Sequence, residues 1–417
     1  MSKRNVYLTN VPPKEALAKY FASLQNCLMP KYEKISVTES FDRITAKAVN
    51  AECCLPLFNS AAMDGIAVRV SSTLGANESN PVRLYAKKDF VYVNTGEPVY
   101  SPYDAVIMIE DLIQIDEDSS CKILAGAVPN QHIRLRGEDI TEGEMIVPPK
   151  HKIRPIDIGA LLCGGITEIE VYTKPNTAIL PTGSEIIEAG VTPKDGAIIE
   201  SNSQMFAGMV THSGGKAFCF KPIPDTLELL KKTIQNAANE YDLVIINGGS
   251  SSGEKDYTVQ ALHEIGEVIV HGTAMKPGKP VILAIVNNKP VIGTPGYPVS
   301  AYLSFVTFIQ PVLSFLSGRH ISSVQKIEAV LSKRIVSSLK ACEYVRVKIG
   351  RDGDNFTASP LARGAGSVMS LVKADGFCVI PQKSEGIEAG ETVMIELLRS
   401  LEEIECTLST NNIMEIL

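Results

Sequence analysis

Tyr241-Asp242-Leu243-Val244-Ile245-Ile246-Asn247, running directly into Gly248-Gly249-Ser250-Ser251-Ser252-Gly253, is the stretch on which the fold turns. An unbroken apolar run of strand length that ends in a glycine-serine loop reads as a strand buried on both faces. Working outward, residues 225–240 and 202–212 have helical spacing, whereas residues 216–220 and 177–180 read as strands. Such alternation predicts a parallel sheet with helices on both faces. Ligands of such sheets sit beyond the carboxyl ends of the strands. The loops there are residues 248–253 and Pro181-Thr182-Gly183-Ser184-Glu185.

The flanks differ. Leu17, Tyr20, Phe21, Leu24 and Leu28 recur at helical spacing near the N-terminus. Residues 82–85, 91–93 and 105–109 read as short strands between Gly, Asn and Pro breaks, and residues 156–162 as a short helix. In residues 343–349, Val345, Val347 and Ile349 take one face of a strand while Arg346 and Lys348 take the other. Residues 377–381 and 392–398 read as further strands. The expected fold is therefore α/β plus β, in several domains. A discontinuous linking α+β domain takes residues 1–49 and 143–174, and a small β domain residues 50–142. A doubly wound α/β domain takes residues 175–325, and a β-barrel-like domain residues 326–417.

Composition narrows the function. Hydrophobic residues at 45% and charged residues at 21% describe an ordinary globular chain. A net charge of −7 advertises no nucleic acid, so anionic ligands would have to be met by local cations. The nine cysteines contain no C-x-x-C pair, and no secretory segment follows Met1, so a reduced, cytoplasmic protein is expected. Residues 290–318 carry no charge and are long enough to span a membrane. Turn chemistry at residues 294–298 and the Gln310-Pro311 break read instead as a buried strand, loop and helix, with no membrane span.

Several loops could do chemistry. Gly248, Gly249, Ser250, Ser252 and Gly253 would let backbone N–H groups approach an anion at a helix N-terminus. Glu254 stands where a phosphate-binding P-loop needs lysine, so the loop is not one; Glu254 and Asp256 suit a hard cation beside a phosphate. Lys276-Pro277-Gly278-Lys279-Pro280 concentrates positive charge, and the Thr294-Pro295-Gly296-Tyr297-Pro298 connector could line a ligand with its amides. An acid stands beside or near glycine at Asp64-Gly65, Gly137-Glu138-Asp139 and Gly183-Ser184-Glu185; each alone is as readily a turn or cap. No zinc-hydrolase histidine pattern and no serine-hydrolase elbow occurs. Spacing by itself reaches an α/β anion-binding enzyme or binding module.

Read together and in order, these segments resemble the MoeA-like molybdopterin molybdenumtransferase family, which includes the gephyrin E domain. The stretches that carry the resemblance are Ala62-Met63-Asp64-Gly65, Thr95-Gly96-Glu97-Pro98, Gly137-Glu138-Asp139-Ile140 and Thr182-Gly183-Ser184-Glu185. Residues 247–258, 276–280 and 295–301 complete the set, so it spans almost the whole chain. The resemblance implies an elongated homodimer whose α/β domain carries an adenylylated pterin, and whose active site lies between that domain and the partner's β domain. It implies insertion of molybdate into adenylylated molybdopterin with Mg²⁺, releasing AMP. A separate molybdopterin adenylyltransferase would supply the substrate, and apo-molybdoenzymes or their chaperones would take the product. By motif, Asp64, Asp139, Glu185, Lys276, Lys279 and Arg346 would be catalytic, with Glu185 and Asp139 as proton donors. Thr95, Gly248, Gly249, Ser250, Ser252, Gly253, Pro295, Gly296 and Ser367 would hold the pterin, and Asp225, Glu254 and Asp256 the metal. Ile66, Tyr297 and the serine-rich loop depart from commoner family residues, which keeps a tungstate-preferring version open. Two competing readings stand apart from these departures: a non-catalytic carrier or scaffold, and a sugar- or nucleotide-phosphate enzyme sharing the α/β module.

Overall fold

Tyr20 shows how the main layer is tied together: wholly buried on the helix Pro13–Leu24, it donates its hydroxyl to the carbonyl of Ala284, 2.9 Å away on a sheet strand. This computed structural model describes residues 10–113, 120–248, 257–321 and 323–414. Within it the chain forms two compact units, Tyr32–Tyr172 and a second made of Met1–Lys31 with Thr173–Leu417.

The larger unit is built on a six-stranded sheet in the order Lys216–Cys219, Asn176–Pro181, Leu243–Asn247, Lys289–Thr294, Ile282–Val286, Glu267–His271. The first four strands are parallel, as the sequence pattern requires. Ile282–Val286 pairs antiparallel with both of its neighbours, so it alone runs against the others and the sheet is mixed and not purely parallel. The reason is local: two residues, Asn287 and Asn288, both at positive φ, join Ile282–Val286 to Lys289–Thr294. That is the backbone a tight hairpin needs, and it leaves no room for a crossover helix.

Each sheet face has its own core. On one side, Leu230, Ile234, Ala237 and Ala238 of helix Leu227–Glu240 pack over Val244 and Ile246. On the other, helix Asn202–His212 contributes Phe206 and Val210, which pack with Ile179, Leu243 and Ile245. The helix over Pro298–Ser317 is apolar and long enough to cross a membrane, but 61% of its most apolar stretch is buried in the protein. Val299, Phe305, Phe308, Ile309, Val312 and Leu313 are at most 1% exposed, each worth about 1.5–3 kcal/mol of burial. Core packing therefore accounts for its composition. Gln310-Pro311 does not break this helix. A π-helical turn at Phe305–Ile309 precedes it, and Gln310 N–H bonds back to Phe305. The wider turn gives the proline ring space against the preceding carbonyls.

Five strands close the C-terminal barrel: Cys342–Asp352, Asn355–Pro360, Lys326–Leu331, Thr392–Leu397 and Gly376–Ile380, the last returning to the first. Val345, Val347 and Ile349 fill its interior, as alternation predicts. The short strand Met275–Lys276 adds to the barrel in parallel with Cys342-Glu343, opposing Lys276 to Glu343.

In the smaller unit, Gly65–Val68 lies between Phe90–Val93 and Ala105–Met108, all antiparallel. The strands approach so closely that a Cβ at residue 65 would fall 2.0 Å from the Ile107 carbonyl oxygen. This contact explains the glycine of the Met-Asp-Gly stretch. Helix Pro155–Cys163 starts on Asp157, which accepts from Arg154 N–H at 2.8 Å and from Arg154 Nη2, and contacts His151 Nε2 at 2.7 Å.

Candidate functional site

The carboxyl ends of the parallel strands open into a cleft of about 650 Å³. Its floor is neutral and buried. Asn247, the last residue of its strand, donates to Thr294 Oγ1 (3.0 Å) and to the Pro295 carbonyl (3.0 Å). Asn202, at the start of helix Asn202–His212, donates to Asn247 Oδ1 (2.9 Å) and to the Gly296 carbonyl (2.7 Å). Thr294 in turn donates to the Ile246 carbonyl at 3.1 Å. These bonds lock three loops at one height, since every buried donor in such a net must be matched. Gly248 stands at φ 109°, and a Cβ there would lie 2.4 Å from the Thr182 carbonyl oxygen. Only glycine lets the strand turn at this point.

Glu185, Glu200 and Asp225 line the same cleft with Gly248, Pro295 and Gly296. Glu200 also accepts from Ser203 N–H at 2.8 Å, capping the helix that Asn202 begins. Among the described residues no set of three or more acidic, His or Cys side chains is arranged to hold a metal ion unaided. Carboxylates on one wall do suit Mg²⁺, which usually takes one or two protein carboxylates and completes its shell with substrate phosphate and water.

A second cleft, of about 420 Å³, adjoins the first and shares Pro280 and Ser300 with it. Lys276, Lys279, Lys340, Arg346 and Arg363 line it against one carboxylate, Glu343. Glu343 is 3% exposed, accepts from Ser337 Oγ at 2.8 Å, and sits 3.3 Å from Lys276 Nζ and 3.6 Å from Arg363 Nη1. The ammonium of Lys279 has no partner among the described residues. Arg346 is 2% exposed, and its Nη2 donates to the carbonyls of Ala362 (2.5 Å) and Gly364 (3.3 Å). Its Nε and Nη1 have no partner among the described residues. Burial pulls its pKa down, the penalty for a charge with no counter-ion beside it.

The residues singled out from sequence thus divide. Glu185, Asp225, Gly248, Pro295 and Gly296 share the first cleft, and Lys276, Lys279 and Arg346 the second. Ser367 caps helix Val368–Val372, next to Gly366, which lines the first cleft. Gly249, Ser250, Ser252, Gly253, Glu254 and Asp256 lie outside the described residues.

Asp64, Thr95 and Asp139 belong to the smaller unit. There Asp64 accepts from Thr95 N–H (2.6 Å) and Thr95 Oγ1 (2.9 Å), and these bonds hold its carboxyl below the ordinary range. It is an ionised acceptor near neutral pH and not a proton donor. Asp139 is exposed, its backbone N–H bonded to the Leu55 carbonyl at 3.0 Å.

Sequence reasoning gave no role to Asn202, Glu200, Glu343 or Arg363. Asn247 reads there as a strand end and Tyr297 as a departure from the commoner family residue, neither with a role of its own. The one usable signal was a polar residue closing an apolar strand, as Asn247 does.

Three family models match the chain in order. Residues 11–165 match the MoeA N-terminal region (domain I and II). Residues 178–314 match the "Probable molybdopterin binding domain", and residues 328–398 the MoeA C-terminal region (domain IV). A Methanocaldococcus jannaschii protein, named for molybdopterin biosynthesis, is 34% identical over 88% of this chain and 93% of its own. The molybdopterin molybdenumtransferase of Haemophilus influenzae is 29% identical over 87% of this chain and 93% of its own. The crystal structure of a Pyrococcus horikoshii molybdopterin biosynthesis MoeA protein superposes with a TM-score of 0.80 at 31% identity. That match covers 94% of this chain and all of the other.

Proposed function

The chain belongs to the MoeA family, and from that premise we propose that it is a molybdopterin molybdenumtransferase. It inserts molybdate into adenylylated molybdopterin and releases AMP, the last step of molybdenum cofactor biosynthesis. The observation that carries this reading is the half-satisfied guanidinium of Arg346 beside Lys276 and Lys279. A buried cation with two free donors is costly when empty and strong once an oxyanion fills it.

Molybdate in the basic cleft would have its charge offset as it meets an anionic dithiolene. Donors fixed in advance need no reorganisation during the step. Replacing oxo groups by sulfur needs protons, because an oxide leaves only as water; Glu185 and Asp139 are our candidates to deliver them. The first, acid-lined cleft would seat the adenylylated pterin, with its phosphates near Gly248. Mg²⁺, held by Asp225 and the acids of residues 254–256, would neutralise the pyrophosphate linkage as AMP departs.

We further propose a cytoplasmic homodimer in which Asp64, Thr95 and Asp139 come from the second copy. A separate adenylyltransferase would supply the substrate. The test is anaerobic incubation with adenylylated molybdopterin, Mg²⁺ and either molybdate or tungstate, following AMP and pterin-bound metal together. AMP released in step with molybdenum incorporation is expected. Tight pterin binding with neither product would sink the transferase in favour of a carrier.

A further inference from the structure

Tyr297 is 65% exposed, yet it lines the first cleft. Its backbone caps helix Pro298–Ser304, with φ −71° and ψ 130° fixed between Gly296 and Pro298. The ring is seated as well: a Cβ on Gly366 would lie 3.2 and 3.4 Å from ring carbons Cδ1 and Cε1. Gly366 is itself held close by the bond from Val299 N–H to the Ala365 carbonyl, 3.1 Å. Nothing in the protein claims the phenol hydroxyl, which makes no hydrogen bond among the described residues. The ring therefore has a backbone support on one side and open cleft elsewhere.

Part of the cleft lining is exposed and apolar. Ile198 (55% exposed) and Ile199 (47% exposed) line it together with Ile186 and Pro298. The acids Glu185 and Asp225 line the same cleft, Glu185 exposed and bonded through its carbonyl to Ile198 N–H at 2.9 Å. A ligand that suits the apolar part of this lining is flat and aromatic; an anionic end would need a cation between it and these acids.

We infer that Tyr297 is a stacking platform for the fused nitrogen heterocycle of the substrate, purine or pterin, and sets which way the ligand enters. The inference rests on the reading under Proposed function and deepens it. Stacking uses the π-face, so the hydroxyl is dispensable and the aromatic ring is not. Gly366 belongs to the same device, because any side chain there would push into the ring.

The chain has no tryptophan, so Tyr297→Trp introduces a single indole emitter. The full-length variant is titrated with AMP, with neopterin monophosphate and with ribose 5-phosphate, which keeps the phosphate but lacks the ring. Saturable quenching by AMP alone assigns the platform to the purine, and by the pterin alone to the pterin. Quenching by neither ring-bearing ligand overturns the inference. In parallel, calorimetry on wild type, Tyr297→Phe and Tyr297→Ala reads the affinity directly. Phenylalanine should bind as wild type, while alanine should lose roughly five- to hundredfold for the ring-bearing ligand only. Equal loss for ribose 5-phosphate would mean a structural role and sink the platform. If wild type releases AMP and incorporates metal while Tyr297→Ala binds normally, only this inference fails. If wild type does neither, the transferase reading fails first.

Discussion

The two adjoining clefts solve opposite problems with polar groups. In the first, Asn202, Asn247 and Thr294 bond to one another and to backbone carbonyls over 2.7–3.1 Å, and none of their fully buried side-chain atoms is left unpaired among the described residues. In the basic one, Arg346 is more buried than either asparagine but keeps two donors unpaired among the described residues, with Lys279 nearby and also unpartnered there. A completed network fixes shape; an incomplete one stores affinity. The lesson is that a buried polar residue can serve stability or function, and the count of its unmet bonds tells which.

Arg346→Met breaks this comparison most sharply. Turnover should fall about 10²–10³-fold, as when a preorganised oxyanion donor is lost. Thermal stability should stay level or rise, since a buried charge without a counter-ion is replaced by a packed apolar chain. A variant that melts markedly lower would show that Arg346 is structural and the contrast false. Asn247→Leu tests the other side. It strands the Asn202 amide and the Pro295 carbonyl, so about 2–4 kcal/mol of unfolding free energy should be lost in urea titrations. An unchanged midpoint would mean the network does not hold the loops.

Asp157 supplies the control, a buried carboxylate whose charge is fully met. The Arg154 side-chain bonds lower its pKa well below the carboxylate range, outweighing its burial, with His151 and the Arg154 N–H assisting. A group depressed in the folded state contributes stability above its unfolded pKa, about 3.9, and loses it as pH falls toward the folded value. Melts at pH 7 and near pH 2 should therefore show wild type losing its advantage over Asp157→Asn at the lower pH. The pH 7 difference should be about 1–2 kcal/mol, with AMP release unaffected. The gentlest change is Glu343→Gln. It keeps a bond to Ser337 but frees Lys276 from competition, so half-saturation by molybdate should fall two- to fivefold. A rise instead would mean that Glu343 serves mainly to place Lys276.

Much of this was legible early. The buried strand at residues 243–247, the helix Asn202–His212 and the barrel strand around Val345, Val347 and Ile349 follow from periodicity, and the structure returns them nearly unchanged. The reading slipped where local signals conflict. Pro311 looks like a break until a π-turn absorbs it, and the Asn287-Asn288 turn reverses a strand in a sheet expected to be parallel throughout. The ordered motifs carry the family and single out Lys276 and Lys279, but they do not say which partners each side chain meets.

The sequence alone determined the elements and their amphipathic faces, because helix and strand periods are set by backbone geometry within a few residues. Only the tertiary structure decided that Lys276 stands opposite Glu343, 67 residues on, and that Tyr297 rests on Gly366. It also decided that two nitrogens of Arg346 have no partner among the described residues. Such facts depend on which distant loops close on one another, and hence on packing that no local pattern encodes.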